Sequence, residues 1–162
     1  METVIHPIPP VFDENSKILI LGSLPSVKSR EYGYQYAHPQ NRFWPIMEKL
    51  FNIKITDENR KQFLLNNNIA LWDVIHSCKI QGSSDASITD VVPNDIKSLI
   101  DQSKISVVFT TGSKAYELYM KYVYPSTLVK ATKLPSTSPA NAAMKLDELI
   151  EKYKIIKNKK QS

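Results

Sequence analysis

The sequence predicts an α/β protein, a three-layer αβα sandwich around a central, mostly parallel four-stranded sheet. Two observations carry this expectation. Short apolar runs bounded by turn residues recur at Ile18 to Leu21, Ile69 to Ile75, Ile105 to Phe109 and, more weakly, Leu128 to Lys133. Stretches with helical spacing fill the intervals, and strands alternating with helices imply parallel pairing with helices on both faces. At 162 residues the chain reads as a single domain over 1–162, long enough for one substantial core.

Met1 to Asn15 contains Pro7, Pro9 and Pro10, which break helix, so an irregular lead-in lying across the edge of the first strand is expected. That strand ends at Gly22 and opens a loop dense in serines, tyrosines and amides. Phe43 to Phe51 has helical spacing, with Phe43, Met47 and Leu50 on one face, and Pro45 confines the helix start to Asn41 or Arg42. Asp57 to Asn67 is a second helical pattern, stopped by Asn66, Asn67 and Asn68 before the next strand. In the run IALWDVI, Asp73 is costly unless it sits at the strand's carboxyl end with partners. His76 to Asp90 reads as a polar loop holding Gly82, Ser83, Ser84 and Asp85, and Pro93-Asn94-Asp95 caps a helix reaching Leu99 or Asp101. After the third strand, Thr110 to Lys114 turns into a helix through Tyr122; it lacks the glycine spacing of a phosphate loop for nucleoside triphosphates. The fourth strand delivers the loop Leu134 to Asn141, and Ala140 to Tyr153 follows as a helix with Met144, Leu149 and Tyr153 in its apolar stripe.

Composition narrows the class. With 42% hydrophobic and 23% charged residues the chain is of soluble globular type. No apolar run approaches the roughly 18 residues of a membrane span, and the amino end has no basic-then-apolar signal pattern, so an intracellular, cytoplasmic protein without a membrane partner is expected. Cys78 stands alone, which excludes an intramolecular disulfide, a multi-cysteine zinc site and a four-cysteine iron–sulfur cluster. The chemistry is therefore expected to need no cofactor and no metal cluster. Lysine and arginine exceed the acidic residues by 21 to 16, a formal charge of +5 that suits a polyanionic partner. Part of the excess, Lys157, Lys159 and Lys160, belongs to the stretch 154–162, read as a frayed basic tail.

Parallel sheets place ligands at the carboxyl ends of their strands. Two Leu-Pro-Ser turns, at 24–26 and 134–136, are expected on that rim beside Asp73. Short turns that feed helices expose backbone N–H groups suited to phosphate oxygens, so the pair could hold a nucleic-acid backbone from two sides. Residue by residue there are plainer readings. Asn41 alone is a helix cap, His38 a structural or exposed histidine, Phe43 and Trp44 core, and Asp73 the cap of a loop. Tyr32, Tyr34 and Tyr36 pack the loop onto the core or flank the gap left by an extruded base. Lys28 and Arg42 contact phosphate or are solvated.

Gly22-Ser23-Leu24-Pro25-Ser26, Tyr36-Ala37-His38-Pro39-Gln40-Asn41-Arg42-Phe43-Trp44 and Leu134-Pro135-Ser136-Thr137-Ser138-Pro139-Ala140-Asn141 together resemble the motif set of the uracil-DNA glycosylase superfamily. Within it the match is to the hypoxanthine (deoxyinosine) DNA glycosylase branch, family six, and it extends over nearly the whole chain. Mismatch-specific uracil and thymine glycosylases read Gly-Ile-Asn-Pro-Gly in the first loop and take their catalytic Asn from it. Leu24 stands at that position here and cannot orient a water. The hypoxanthine branch carries its catalytic amide before Phe-Trp, which maps onto Asn41.

The resemblance implies a monofunctional DNA glycosylase that hydrolyses the N-glycosidic bond of deoxyinosine in base excision repair. Such cleavage passes through an oxocarbenium-like sugar, so the enzyme must orient a water and stabilise charge on the departing base. Asn41 is the expected catalytic residue. Ser23, Leu24, Phe43, Asp73 and His38 are expected around the base, with Phe43 as stacking platform for the flipped nucleotide and Asp73 accepting from N1–H of hypoxanthine. Pro25, Ser26, Lys28, Arg42, Ser136, Thr137, Ser138 and Asn141 are expected against DNA that contains a deaminated base. A monomer is expected, because DNA must reach the rim. The alternatives are a mismatch-specific uracil or thymine glycosylase, a non-catalytic nucleic-acid-binding α/β module and, further off, a flavodoxin-like regulatory domain.

Overall fold

The computed structural model describes residues 1–82 and 84–160, and of Lys160 the backbone alone. Ser83 of the expected polar loop and Gln161 and Ser162 of the expected tail lie outside the described residues. The elements run β1 (Glu2–Ile5), β2 (Ile18–Gly22), α1 (Val27–Tyr32), α2 (Phe43–Phe51), α3 (Arg60–Asn66), β3 (Ile69–Asp73), β4 (Ile75–Ile80), β5 (Thr89–Pro93), α4 (Ile96–Asp101), β6 (Val107–Thr111), α5 (Ser113–Tyr122), α6 (Tyr124–Thr127), β7 (Ala131–Leu134) and α7 (Leu146–Lys160).

Four strands form the expected parallel sheet in the order β3-β2-β6-β7. β2 lies inside it and is buried along its whole length, which is why its sequence is a continuous apolar run rather than an alternation. Ile18 and Ile20 pack with Phe43, Met47, Phe63, Leu149 and Tyr153 of α2, α3 and α7. Leu19 and Leu21 belong to the opposite core, with Ile96, Leu99, Leu118 and Tyr119 of α4 and α5. The helices thus cover both faces, as the alternation of patterns predicts.

The departures have local causes. The lead-in is not wholly irregular: Glu2–Ile5 forms β1, which pairs antiparallel with β4 in a second, three-stranded sheet of order β1-β4-β5. This sheet occupies what reads as a polar loop. Register shifts between β4 and β5 interrupt the two-residue alternation that would have announced a hairpin. The lead-in crosses β3 rather than β2, through a bridge between Val11 and Leu71, because β2 has neighbours on both sides. The run IALWDVI is divided: Ile69–Asp73 stays in the parallel sheet, and Ile75 opens β4. Helix α1 was not foreseen. Its six residues are capped by the Ser26 side chain and stopped by Gly33 at φ 84. The carboxyl-terminal helix starts at Leu146, not Ala140, and continues to Lys160, so the expected frayed tail is helical through the described residues.

Burial raises the phenols of Tyr36, Tyr119 and Tyr153 above the ordinary value of 10.0. In the unfolded chain these groups ionise near 10, so above that pH the unfolded state sheds protons that the folded state retains. Stability is therefore expected to be level up to about pH 10 and to fall as pH rises beyond it. Urea midpoints measured across that range test this, and a midpoint unchanged well above it would contradict the burial of the phenols.

Candidate active site

The carboxyl ends of the parallel strands build the floor. Gly22 pairs with Asp73 of β3, and Thr111 ends β6 on the other side of β2. A Cβ at Gly22 would stand 2.4 Å from Asp73 Oδ1 and 3.2 Å from the Tyr36 hydroxyl. Glycine is required there because two polar groups close over the backbone. Asp73 is 3% exposed, and its Oδ2 accepts a 2.8 Å hydrogen bond from His6 Nε2. The Ile8 N–H donates to His6 Nδ1 at 3.1 Å, which leaves Nε2 as the ring nitrogen bearing hydrogen. Asn94 Nδ2 donates to the carbonyls of Asp73 and Ile75 at 2.8 and 3.1 Å, fixing the step from β3 into β4.

Tyr36 spans this floor with its hydroxyl 2.7 Å from Thr111 Oγ1. Its ring lies on Phe43 at 4.2 Å between centroids and 14° between planes, and its backbone has φ 60. Burial raises its phenol well above the usual range, and the Asp73 charge adds to the rise. Phe43 is 0% exposed, covered by Tyr36 on its face and met edge-on by Trp44 at 4.9 Å. Phe43, expected as the stacking platform, is thus wholly covered, and the half-buried Tyr36 is the ring that lies over it.

Asn41 is half-buried just before α2, and its Oδ1 accepts from the Phe43 N–H at 2.9 Å. The plain capping role is thus present. It also fixes the amide plane, leaving Nδ2 and the second lone pair of Oδ1 with no hydrogen-bond partner among the described residues. His38 Nδ1 accepts from the Gln40 N–H at 3.0 Å, and the His38 carbonyl accepts from the Asn41 N–H at 2.9 Å, closing a turn that presents Asn41.

Arg42, expected against DNA, is held within the protein. Its guanidinium donates to four main-chain carbonyls, those of Thr137 (3.4 Å), Ser138 (2.7 Å), Asn141 (3.0 Å) and Met144. The Ser138 and Asn141 carbonyls also accept turn bonds from the Asn141 and Met144 N–H groups at 3.0 and 3.4 Å, and α7 begins at Leu146. The guanidinium bonds join the Asn41 turn to the second Leu-Pro-Ser loop. Replacing Arg42 by lysine, which keeps the charge but loses the planar fork, should cost about 2 kcal/mol of stability. Amide hydrogen exchange at Asn141 and Met144 should accelerate; unchanged exchange there would show that the loop holds itself.

The remaining expected contacts divide. Pro25 is buried, and Thr137 is 2% exposed, so neither side chain is open to a ligand. Leu24 packs on the core. Ser26 is exposed while capping α1, and Lys28 is exposed beside Glu31 at 3.5 Å. In the second loop Ser136 Oγ accepts from the Ser138 N–H at 3.1 Å, and Asn141 Nδ2 donates to the Ser136 carbonyl at 3.0 Å. A cleft of about 400 Å³ is lined by Ser23 and Ser136, by the turn from Thr111 to Lys114, and by Asp85, Ala86 and Glu117. The two Leu-Pro-Ser loops thus meet across one opening, with the turn 111–114 between them. The sequence marks neither that turn nor His6 as a site. The turn invited comparison with the wrong phosphate motif, and His6 sits 67 residues from its partner, beyond any local pattern.

The uracil DNA glycosylase superfamily model matches residues 9–157, every element of this site except the amino-terminal strand and His6. The chain belongs to that superfamily. Among superfamily relatives, a hypoxanthine DNA glycosylase of Methanosarcina barkeri is 40% identical over 114 residues, 67% of this chain and 72% of that protein. Another hypoxanthine DNA glycosylase, from Methanosarcina acetivorans, is 37% identical over 139 residues, 82% and 85% of the two chains. The solution NMR structure of a candidate uracil DNA glycosylase from Methanosarcina acetivorans superposes with a TM-score of 0.78 at 30% identity, covering 96% of this chain and 99% of that one. The superfamily fold is thus the one described above. Among the described residues no three His, Cys, Asp or Glu side chains gather as a metal site, and no helix is long and apolar enough to cross a membrane.

Proposed function

We propose that this protein is a monofunctional DNA glycosylase that releases hypoxanthine from deoxyinosine in DNA by hydrolysis. The observation that carries the reading is the Asp73 carboxylate, held at the strand end by His6 in a chain whose relatives are named for hypoxanthine. A carboxylate offers acceptors only, and hypoxanthine presents an N1–H where adenine presents a lone pair, so the undamaged purine is turned away.

The lesion leaves the stack and enters over Gly22, with Tyr36 as the aromatic surface beside it. Asn41 accepts one hydrogen of a water through the free lone pair of Oδ1, directing the water oxygen at the sugar carbon. As the glycosidic bond breaks, its electron pair leaves with the base and the water oxygen bonds to the sugar carbon; that oxygen gives up one proton to solvent, and the departing base takes one from solvent. Ser23, Ser136 and the turn 111–114 receive flanking phosphates, with Lys114 supplying positive charge. Water is the nucleophile and no cofactor enters. A monomer keeps the rim open to a duplex.

Duplexes carrying one hypoxanthine, uracil or xanthine, incubated with the protein and then treated with alkali, test the reading. Strand breaks at hypoxanthine are expected, with no adduct trapped by borohydride. Absence of excess cleavage there would overturn it. Preferential cleavage at uracil would identify a mismatch-type glycosylase, and salt-sensitive binding without base release would identify a non-catalytic module.

A further inference from the structure

The two oxygens of Asp73 have different surroundings. Oδ2 is taken by His6, whereas Oδ1 faces Gly22 on the side where the Tyr36 hydroxyl also lies. Side-chain exposure is 1% for His6 and 4% for Asp73, so the carboxylate has little water to fall back on. Among the described residues His6 is its sole hydrogen-bond donor.

His6 is itself held at three points. Its Nδ1 accepts from the Ile8 N–H, its Nε2 is on Asp73, and its backbone N–H donates to the His76 carbonyl at 2.7 Å. The ring can neither rotate nor exchange tautomers without giving up one of these bonds. A pair placed only to fill the core would be as stable with apolar residues of the same volume. This one sits at the carboxyl end of β3, against Gly22 at the end of β2.

We infer that His6 is a positioning residue for base recognition. By occupying Oδ2 it turns Oδ1 toward the pocket as the acceptor for a ring N–H of the flipped base, the group that deamination of adenine creates. The segment that follows β1 thereby acts in selectivity, although it precedes the residues 9–157 that the superfamily model matches. The inference rests on the reading of Asp73 as the base-reading group.

Single-turnover release of hypoxanthine from a duplex is compared for His6→Leu, His6→Gln, Asp73→Asn and the double variant His6→Leu/Asp73→Asn. Each is also titrated with a duplex holding a tetrahydrofuran abasic analogue, which has no base edge to read. His6→Leu should slow release about 10- to 100-fold, the effect of one hydrogen bond to a charged group. His6→Gln, whose amide nitrogen can reach the position of Nε2, should recover most of the rate. The double variant should be no slower than Asp73→Asn alone, and abasic-duplex affinity should stay within about threefold throughout. If His6→Leu does not fold, His6→Asn, with its nitrogen short of Oδ2, replaces it.

Parental release by His6→Leu together with slow release by Asp73→Asn would overturn the positioning role and leave the base-reading role intact. Parental release by Asp73→Asn would overturn both. Equal losses of release and of abasic-duplex affinity in His6→Leu would reduce His6 to a structural contact.

Discussion

Asn41→Ala should reduce single-turnover release of hypoxanthine by about 100- to 1,000-fold, the scale on which one preorganised polar contact to a reacting group is missed. Two functions are lost together. The Phe43 N–H loses the acceptor 2.9 Å away, and the water loses its guide. The first loss has its own scale, about 1 kcal/mol for removal of a cap, and appears as a lower melting temperature. Asn41→Asp tests whether acceptors alone suffice, because a carboxylate keeps both the cap and an oxygen lone pair for the water and removes only the Nδ2 donors. The aspartate variant should melt like the parent. Release by Asn41→Ala within a few-fold of the parent would remove Asn41 from the chemistry, leaving it a helix cap.

Gly22→Ala is the second large effect, and it is steric. The new methyl group would lie 2.4 Å from Asp73 Oδ1, and the carboxylate cannot turn away without breaking its bond to His6. A methyl forced into this space should cost about 1–3 kcal/mol, and displacement of the acceptor should lower hypoxanthine release by about 100-fold. Gly22→Ala/Asp73→Ser removes the obstructing atoms. Its melting temperature should return toward that of the parent while its activity stays low. If Gly22→Ala alone keeps full activity, the carboxylate is not held as described.

Much of the architecture was legible because burial on two faces leaves a plain signature. Ile18 to Leu21 could be recognised as an inner strand since both sides of β2 needed apolar residues. Asp73 stood out as a carboxylate in an apolar run, and the structure gives it partners at the strand end. The parallel architecture put the two Leu-Pro-Ser loops on one rim, where the structure brings Ser23 and Ser136 to one cleft. What could not be read depends on distant contacts. The small antiparallel sheet hides behind the register shifts between β4 and β5. The partner of His6 is invisible to any window of sequence. Phe43 and Tyr36 are both aromatic and near one motif, and nothing local says which covers the other.

The grip of Arg42 on the second loop differs in kind from an ion pair. Every acceptor is a main-chain carbonyl, and a carbonyl is supplied by any residue. Ser138, Asn141 and Met144 could be exchanged for other side chains without removing what Arg42 holds. The arrangement makes the loop a cassette, with its course set by the guanidinium and its surface open to revision. The side chains of 138–144 could therefore drift while the rim keeps its shape. The same design leaves no compensating partner for a change at position 42 itself, since a backbone oxygen cannot reverse its polarity.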